Sequence, residues 1–107
     1  MDTKANEVVI NGITYAPVEP PSGDIRICVL ERGWVVVGRY EIDGDMRRVR
    51  NGAVIRIWGT SKGLPELVNG PIADKTKLDK CDTPIEFNRA SEILTIRCNP
   101  DGWTCLD

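Results

Sequence analysis

Apolar and polar residues alternate with a period of two along much of this chain, which is the pattern of half-buried β-strands. The alternation is clearest in five segments: residues 25–30, 34–41, 46–50, 53–58 and 93–98. Asp43-Gly44 and Asn51-Gly52 separate the middle three segments, and such dipeptides favour tight two-residue hairpin turns. The pattern therefore predicts an antiparallel β-meander with a turn at each dipeptide.

The first 23 residues are predicted to form an arm beside the main body. Residues 7–15 place Asn11-Gly12 between two runs of β-forming residues, which is a strong hairpin signal. Three prolines and Gly23 follow within a short stretch, as in a linker. We therefore expect a hairpin arm and linker over residues 1–23 and a single β-rich domain over residues 24–107.

The second half of the chain contributes a short helix and further strands. Pro65 falls in the first turn of a helix predicted to start at Leu64, and Gly70-Pro71 ends it. Short strands are predicted near residues 76–78 and over residues 83–87, where a proline indicates an edge strand. The expected fold is mainly β: a small barrel- or sandwich-like antiparallel sheet with one short helix and an N-terminal β-hairpin arm.

The two predicted turns set a register. With Asp43-Gly44 as a loop, Tyr40 faces Arg47; with Asn51-Gly52 as a loop, Arg47 faces Arg56 and Val49 faces Val54. One face then mixes aromatic, apolar and arginine side chains: Trp34, Val36, Tyr40, Arg47, Val49, Val54, Arg56 and Trp58. The other face is more aliphatic and is the expected core, although Arg39, Arg48 and Arg50 lie among its apolar residues: Val35, Val37, Met46, Ala53, Ile55 and Ile57. Opposed arginines repel, so we expect an anion or a carboxylate between Arg47 and Arg56.

Composition narrows the class of protein. A chain of 107 residues with 41% hydrophobic content fits one globular domain. It has no apolar run near the roughly 20 residues of a membrane span, and no apolar signal-peptide core, so a cytoplasmic location is expected. The four cysteines lack the close pairs of zinc sites, so we expect free, mostly buried thiols and no metal.

The absence of histidine argues against an enzyme. No histidine occurs in the sequence, which removes the Ser-His-Asp and Cys-His nucleophile systems and the usual proton shuttle near neutral pH. The acidic residues are too evenly scattered to nominate a catalytic carboxylate pair. We therefore expect a non-enzymatic binding protein with no catalytic residues and no cofactor.

Positive charge is concentrated in the middle of the chain. Residues 26–62 hold eight basic and four acidic residues, although the whole chain has a net charge of −2. Seven of the eight basic residues are arginine, which suits bidentate contacts with phosphate or carboxylate and stacking on aromatic rings. The alternative is a set of solvated arginines on the edges of the sheet.

A glycine-rich loop follows the strand that ends at Trp58. Residues 59–63 (GTSKG) precede the helix start, where backbone N–H groups can hold an anion. The spacing is not that of a Walker A loop, and the glycines also suit a simple bend. Combined with the arginine-bearing face, the loop suggests a site for a nucleotide-like ligand. The candidate ligand-binding residues are Arg47, Arg56, Trp58, Tyr40, Thr60, Ser61 and Lys62.

The segments WVVVGRY, NGAVIRIWGTSKGLPELVNGP and EILTIRC make residues 25–98 similar to a family of small, uncharacterised proteins encoded by bacteriophages and prophages. The resemblance implies an accessory protein that acts in the host bacterial cytoplasm. It carries over no catalytic residue. Proteins of this origin include sponges that sequester the nucleotide signals of antiphage defence, by analogy of function alone.

Three functions follow as expectations. The first is capture of a small anionic nucleotide-like ligand, such as a cyclic oligonucleotide or an ADP-ribose derivative, by a homo-oligomer. The second is a protein-interaction or structural module of a phage, in which the same face contacts a partner, since arginine and tryptophan are frequent hot-spot residues. The third is binding of single-stranded nucleic acid.

Overall fold

A computed structural model describes residues 8–10, 13–15 and 23–107 of the chain. The described residues form these strands: β1 (Val8–Ile10), β2 (Ile13–Tyr15), β3 (Ile25–Leu30), β4 (Val35–Asp43), β5 (Met46–Ile57), β6 (Lys77–Lys80), β7 (Ile85–Asn88) and β8 (Glu92–Arg97). They also form short 3₁₀ helices: Glu31–Gly33, Leu64–Asn69, Arg89–Ser91, Pro100–Gly102 and Thr104–Leu106. None of the described helices is long and apolar enough to cross a bilayer.

The strands form two antiparallel sheets, which confirms the prediction of a mainly β fold. β1 and β2 pair with each other as the predicted N-terminal hairpin, although its Asn11-Gly12 turn lies outside the described residues. The larger sheet has the strand order β6-β5-β4-β3-β8, and β7 also pairs with β5. β7 pairs with the first half of β5 and β6 with the second half, and the sheet is not closed into a barrel.

The predicted turn at Asn51-Gly52 is wrong, because β5 runs through both residues as one strand of 12 residues. β4 pairs with β5 on both sides of this point, as Arg39 with Arg50 and then Val37 with Ala53. One extra residue on β5 therefore forms a β-bulge. Asn51 has a φ of +51°, so the left-handed conformation that suits a hairpin turn is present but serves the bulge instead.

The β4–β5 turn is displaced from its predicted place. Asp43 pairs with Met46, so the two-residue loop is Gly44-Asp45 rather than Asp43-Gly44. Gly44 has a φ of +60°, as a type II′ turn requires at its first central residue. This moves the register by two residues, and Arg47 lies opposite Ile42 instead of the predicted Tyr40.

Both faces of the larger sheet are covered. The expected aliphatic face forms the first core, in which Val35, Val37, Ala53 and Ile55 pack against Trp103. The face expected to carry arginines and aromatics forms a second core instead: Cys28, Leu30, Val36, Tyr40, Val49 and Phe87. Met46 and Ile57, which were expected in the core, are 38% and 48% exposed.

The sheet coils strongly around the second core. Glu92 pairs with Leu30 at one end of β3, whereas the amide of Tyr40 donates to the carbonyl of Asp24 just before the other end. Even so, the Tyr40 hydroxyl lies 2.8 Å from the Glu92 carboxylate. β-Bulges increase local twist and bend a strand, so the bulge at residues 51–52 helps to bring the outer part of the β4–β5 hairpin over this core.

The predicted short helix exists as the 3₁₀ helix Leu64–Asn69, which packs against the first core through Leu64 and Leu67. Trp103 is fully buried beside it, and its indole Nε1 donates to the Leu67 carbonyl over 3.0 Å. This indole fixes the helix and the C-terminal turns against the sheet. The helix in turn holds the 59–63 loop that precedes it.

Candidate functional site

The structure does not gather the predicted ligand residues into one site. Tyr40 and Arg47 lie on the outer part of the β4–β5 hairpin, and Arg56 and Trp58 lie at the far end of β5 beyond the bulge. Arg47 and Arg56 were expected to face each other at the spacing of paired strands. They are instead nine residues apart on one strand, which at about 3.3 Å per residue is at most about 30 Å, and roughly 20–30 Å once the bulge and the bend shorten it.

Tyr40 and Arg47 belong to an internal polar network. The Tyr40 hydroxyl donates to the Glu92 carboxylate, 2.8 and 3.0 Å from its two oxygens, and Arg47 Nε lies 3.4 Å from the same group. The side chains of Arg47 and Glu92 are only 15% and 18% exposed. Burial, and then the hydrogen bond to Glu92, raise the pKa of Tyr40. The carboxylate that Arg47 was expected to need is therefore supplied by β8.

Arg26 completes this network, although its role was not predicted. Its guanidinium carbon lies 4.8 Å from the centre of the Tyr40 ring, within the range of a cation–π contact. The same guanidinium donates to Asp24 and to Thr95 Oγ1, over 3.2 and 3.4 Å. Tyr40 is 8% exposed, so its ring packs on protein groups and does not offer an open stacking face.

Arg56 and Trp58 lie on the surface. Arg56 Nε is 3.1 Å from the Asp79 carboxylate on β6, and both side chains are more than half exposed. Trp58 is 40% exposed, and its carbonyl accepts a hydrogen bond from Thr76 Oγ1. These two residues keep the exposure that ligand or partner binding needs, while Tyr40 and Arg47 do not.

The GTSKG loop already holds an anion, which is the side chain of Glu66. The backbone N–H groups of Ser61 and Lys62 donate to Glu66 Oε2 over 3.1 and 2.8 Å. Glu66, the third residue of the helix, thus reaches back past its N-cap, Gly63, to two donors in the loop. Thr60 is half-buried, whereas the side chains of Ser61 and Lys62 are exposed. The loop connects β5 to the 3₁₀ helix, and the Glu66 carboxylate already occupies these two backbone N–H groups.

Carboxylates accompany most of the arginines in the basic segment. Six of them, Arg26, Arg39, Arg47, Arg48, Arg50 and Arg56, lie within 4 Å of an acidic side chain. Several of these acids come from distant parts of the chain, such as Asp79, Glu92 and Asp107. An acid on a remote strand leaves no local signal beside the arginine, so sequence reasoning missed these pairs.

Exposed apolar side chains form the most distinctive surface feature. Trp34, Ile57 and Trp58 are 57%, 48% and 40% exposed, and we call them the tryptophan end. Val36 and Val54 form the last pair of β4 with β5 at this end, and Trp34 and Trp58 lie two residues before and four residues after them in the chain. Two of the three tryptophans thus lie half in water at the same end of the sheet.

The cysteines and the potential metal ligands of the described residues do not form a recognisable reactive site. All four cysteines are free; Cys28 and Cys98 are buried, but Cys81 is half-buried and Cys105 is exposed, so only half of the thiols are buried as expected. Burial raises the pKa of the Cys28 thiol to about 12 and that of Cys98 to about 11. Within the part of the chain that the structure describes, no cluster of metal-ligating side chains and no pocket is found.

Comparisons with protein-family models, with curated proteins and with solved structures find no match for this chain. The resemblance to phage-encoded proteins stays a prediction. So do the expectations of a host-cytoplasmic location and of a non-enzymatic role.

Proposed function

We propose that this protein is a non-enzymatic protein-interaction module that binds a partner chain through its tryptophan end. The observation that carries this proposal is the exposure of both Trp34 and Trp58 at one end of the sheet. Tryptophan is among the residues most enriched at interaction hot spots, because its large ring buries much apolar area at little entropic cost.

The surroundings of the tryptophan end suit a protein interface. Arg56, which is 59% exposed, and the exposed Lys62 lie close to Trp58 in the chain and can provide a polar rim. The first core lies next to this end, since the buried Val35 directly follows Trp34 and the buried Ile55 lies two residues before Ile57. A rigid apolar patch loses little entropy when it binds.

Paired alanine substitutions test this proposal. Immobilised wild-type protein, Trp34→Ala/Trp58→Ala protein and an Ile42→Ala control are exposed to a lysate of the encoding cells. A partner identified there is then purified and titrated against each protein. Ile42 is a matched control because it is 66% exposed but lies beside the β4–β5 turn. Hot-spot losses of about 2 kcal/mol or more predict at least roughly 30-fold weaker binding for the double variant alone. Equal binding by all three proteins would refute the proposal.

A second candidate function is capture of a small anionic nucleotide-like ligand, as expected for a phage anti-defence sponge. The observation that favours it is that an exposed ring, Trp58, lies near two exposed cations, Arg56 and Lys62. A base could stack on the indole while the cations contact phosphate. Such a site would use the end of β5 and its loop, without Tyr40 and Arg47.

A thermal-shift screen separates the two candidates. Cyclic and linear nucleotides are tested against wild-type protein, Trp58→Ala and Lys62→Ala, with Ile42→Ala, beside the β4–β5 turn, as the control. Stabilisation that disappears in the first two variants and persists in the control supports ligand capture. No stabilisation across the panel, with folded protein, counts against it.

A further inference from the structure

We propose that residues 40–50 and β7 form a leaf that opens from the rest of the protein by local unfolding, and that Glu92 is the latch that holds the leaf closed. The leaf consists of the outer part of the β4–β5 hairpin and of β7, which pairs with it. The body, from which it opens, comprises β3, β8 and the inner parts of β4 and β5. This inference goes beyond the proposed function and does not rest on it, because the tryptophan end lies at the other end of β4 and β5.

The pairing of the strands separates the leaf from the body. β7 pairs with residues 46–49 of β5, whereas β6 pairs with residues 53–57 on the other side of the bulge. The pairs of β3 with β4 end at Ile25 and Arg39, and beyond them the amide of Tyr40 donates to the Asp24 carbonyl. Among the described residues, the leaf is therefore a three-stranded unit that the backbone ladders of the sheet join to the body at its base.

The charged side chains on one face of the leaf pair with each other. Arg48 lies within 4 Å of three carboxylates of the leaf, those of Glu41, Asp43 and Glu86. Arg50 Nε lies 2.7 Å from Glu41 as well. These ion pairs can persist when the leaf separates from the body, so they favour opening of the leaf as one unit.

Glu92 ties the leaf to the body. It is the first residue of β8 and pairs with Leu30 of β3, so it belongs to the body. Its carboxylate accepts a hydrogen bond from the Tyr40 hydroxyl over 2.8 Å and lies 3.4 Å from Arg47 Nε, and both of these partners belong to the leaf. Arg26 of β3 adds a cation–π contact with the Tyr40 ring. Opening of the leaf breaks these contacts, and the charge-assisted hydrogen bond to Glu92 is the strongest type among them.

Glycines mark the base of the leaf in both strands. Gly38 in β4 lies opposite the bulge at residues 51–52 in β5. A Cβ added at Gly38 would lie only 2.9 Å from the Cα of Gly52, so the two strands approach closely here. A glycine inside a strand marks a tight bend or a close approach, and a bulge interrupts the ladder. We therefore expect the two strands to bend at this level when the leaf opens.

The leaf covers part of the second core. Three of its buried side chains, Tyr40, Val49 and Phe87, belong to this core. On the body side the same core includes Cys28, whose thiol is fully buried. The other buried thiol, Cys98, belongs to the first core, which the leaf does not cover. Local unfolding requires less free energy than global unfolding, so opening of the leaf exposes Cys28 while the first core stays intact.

Labelling of the two buried thiols tests the leaf in the full chain, with Cys81 and Cys105 changed to serine. A maleimide is applied at pH 8 in low, non-denaturing concentrations of urea, and mass spectrometry follows each site. Circular dichroism in the same buffers gives the rate that global unfolding allows. We expect labelling of Cys28 to exceed that rate at least tenfold and to depend less steeply on urea, because the leaf exposes less surface than the whole chain. It stays slow compared with labelling of an exposed thiol, because the closed leaf predominates.

Two variants separate the leaf from the rest of the protein. Glu92→Gln keeps the size of the side chain but removes its charge, and is expected to speed labelling of Cys28 at least tenfold. Leu106→Ala disturbs the first core, where Leu106 is buried, and is expected to speed labelling of Cys98 much more than that of Cys28.

Three results would overturn the proposal. The first is labelling of wild-type Cys28 at the rate and with the urea dependence of global unfolding. The second is equal acceleration of both thiols by Leu106→Ala. The third is an unchanged rate for Cys28 in folded Glu92→Gln protein, which would exclude Glu92 as the latch. If circular dichroism shows that Glu92→Gln does not fold, the wild type and Leu106→Ala decide.

Discussion

Glu92→Ala is expected to destabilise the protein far more than the same type of change at an exposed ion pair. The substitution removes the acceptor of the Tyr40 hydroxyl and the charge partner of Arg47. A hydrogen bond to a charged group contributes about 1.5–3 kcal/mol. The Arg47 pair, with side chains 15% and 18% exposed, adds about 1 kcal/mol after screening. The expected loss is about 3 kcal/mol, which corresponds to a fall in Tm of roughly 12–24 °C.

Asp79→Ala is the matched control, because it breaks the Arg56 pair, in which the two side chains are 59% and 52% exposed. Exposed pairs contribute about 0–1 kcal/mol, so this change is expected to be small. Urea unfolding, followed by circular dichroism at constant pH, gives both free energies. Equal losses for the two variants, or a loss below about 1 kcal/mol for Glu92→Ala, would refute the assignment of Tyr40 and Arg47 to a buried network.

Three further predictions concern the cores, the bulge and the thiols. Trp103→Ala is expected to cost about 3–5 kcal/mol in a urea titration, because the ring is fully buried; a loss below about 1 kcal/mol would contradict its place in the core. Asn51→Val is expected to destabilise by about 1 kcal/mol or more while Asn51→Gly is near neutral, since φ is +51° there; equal effects would argue against the bulge. At pH 8 a maleimide is expected to label the exposed Cys105 quickly and the buried Cys28 and Cys98 only after unfolding; rapid labelling of native Cys28 would contradict its raised pKa of about 12.

Local patterns predicted the strands well, because period-two alternation reports burial of a strand face. The segments expected over residues 34–41 and 93–98 appear as Val35–Asp43 and Glu92–Arg97. The edge strand expected over residues 83–87 appears as Ile85–Asn88. The short helix expected to start at Leu64 appears as the 3₁₀ helix Leu64–Asn69.

The connection at Asn51-Gly52 could not be predicted from its own residues. A hairpin turn and a β-bulge both accept Asn in the left-handed region, and both keep Val49 and Val54 on the same face of the sheet. The shared face of Val49 and Val54 was therefore predicted correctly, although the predicted hairpin turn between them was wrong. What differs is the distance in space between Arg47 and Arg56. A hairpin turn would make them neighbours, whereas a continuous, bulged strand separates them.

The expected pairing of Arg47 with Arg56 was wrong for a related reason. Arg47 and Arg56 were interpreted as a pair in need of an anion, but each finds a carboxylate on a distant strand, Glu92 or Asp79. Those contacts depend on the order of strands in the sheet, which local patterns do not encode. The exposure of Trp34 and Trp58 likewise follows from where the sheet ends, and not from the residues around them.

The central claim is that β5 is one continuous strand, so that Arg47 and Arg56 do not form a single ligand site. Electron–electron double resonance between nitroxides at Arg47→Cys and Arg56→Cys tests it, with the two less buried cysteines, Cys81 and Cys105, changed to serine. A continuous bulged strand predicts a separation of roughly 20–30 Å between the two backbone positions. A separation of about 5 Å, as in a hairpin pair, would contradict the claim and restore the predicted site.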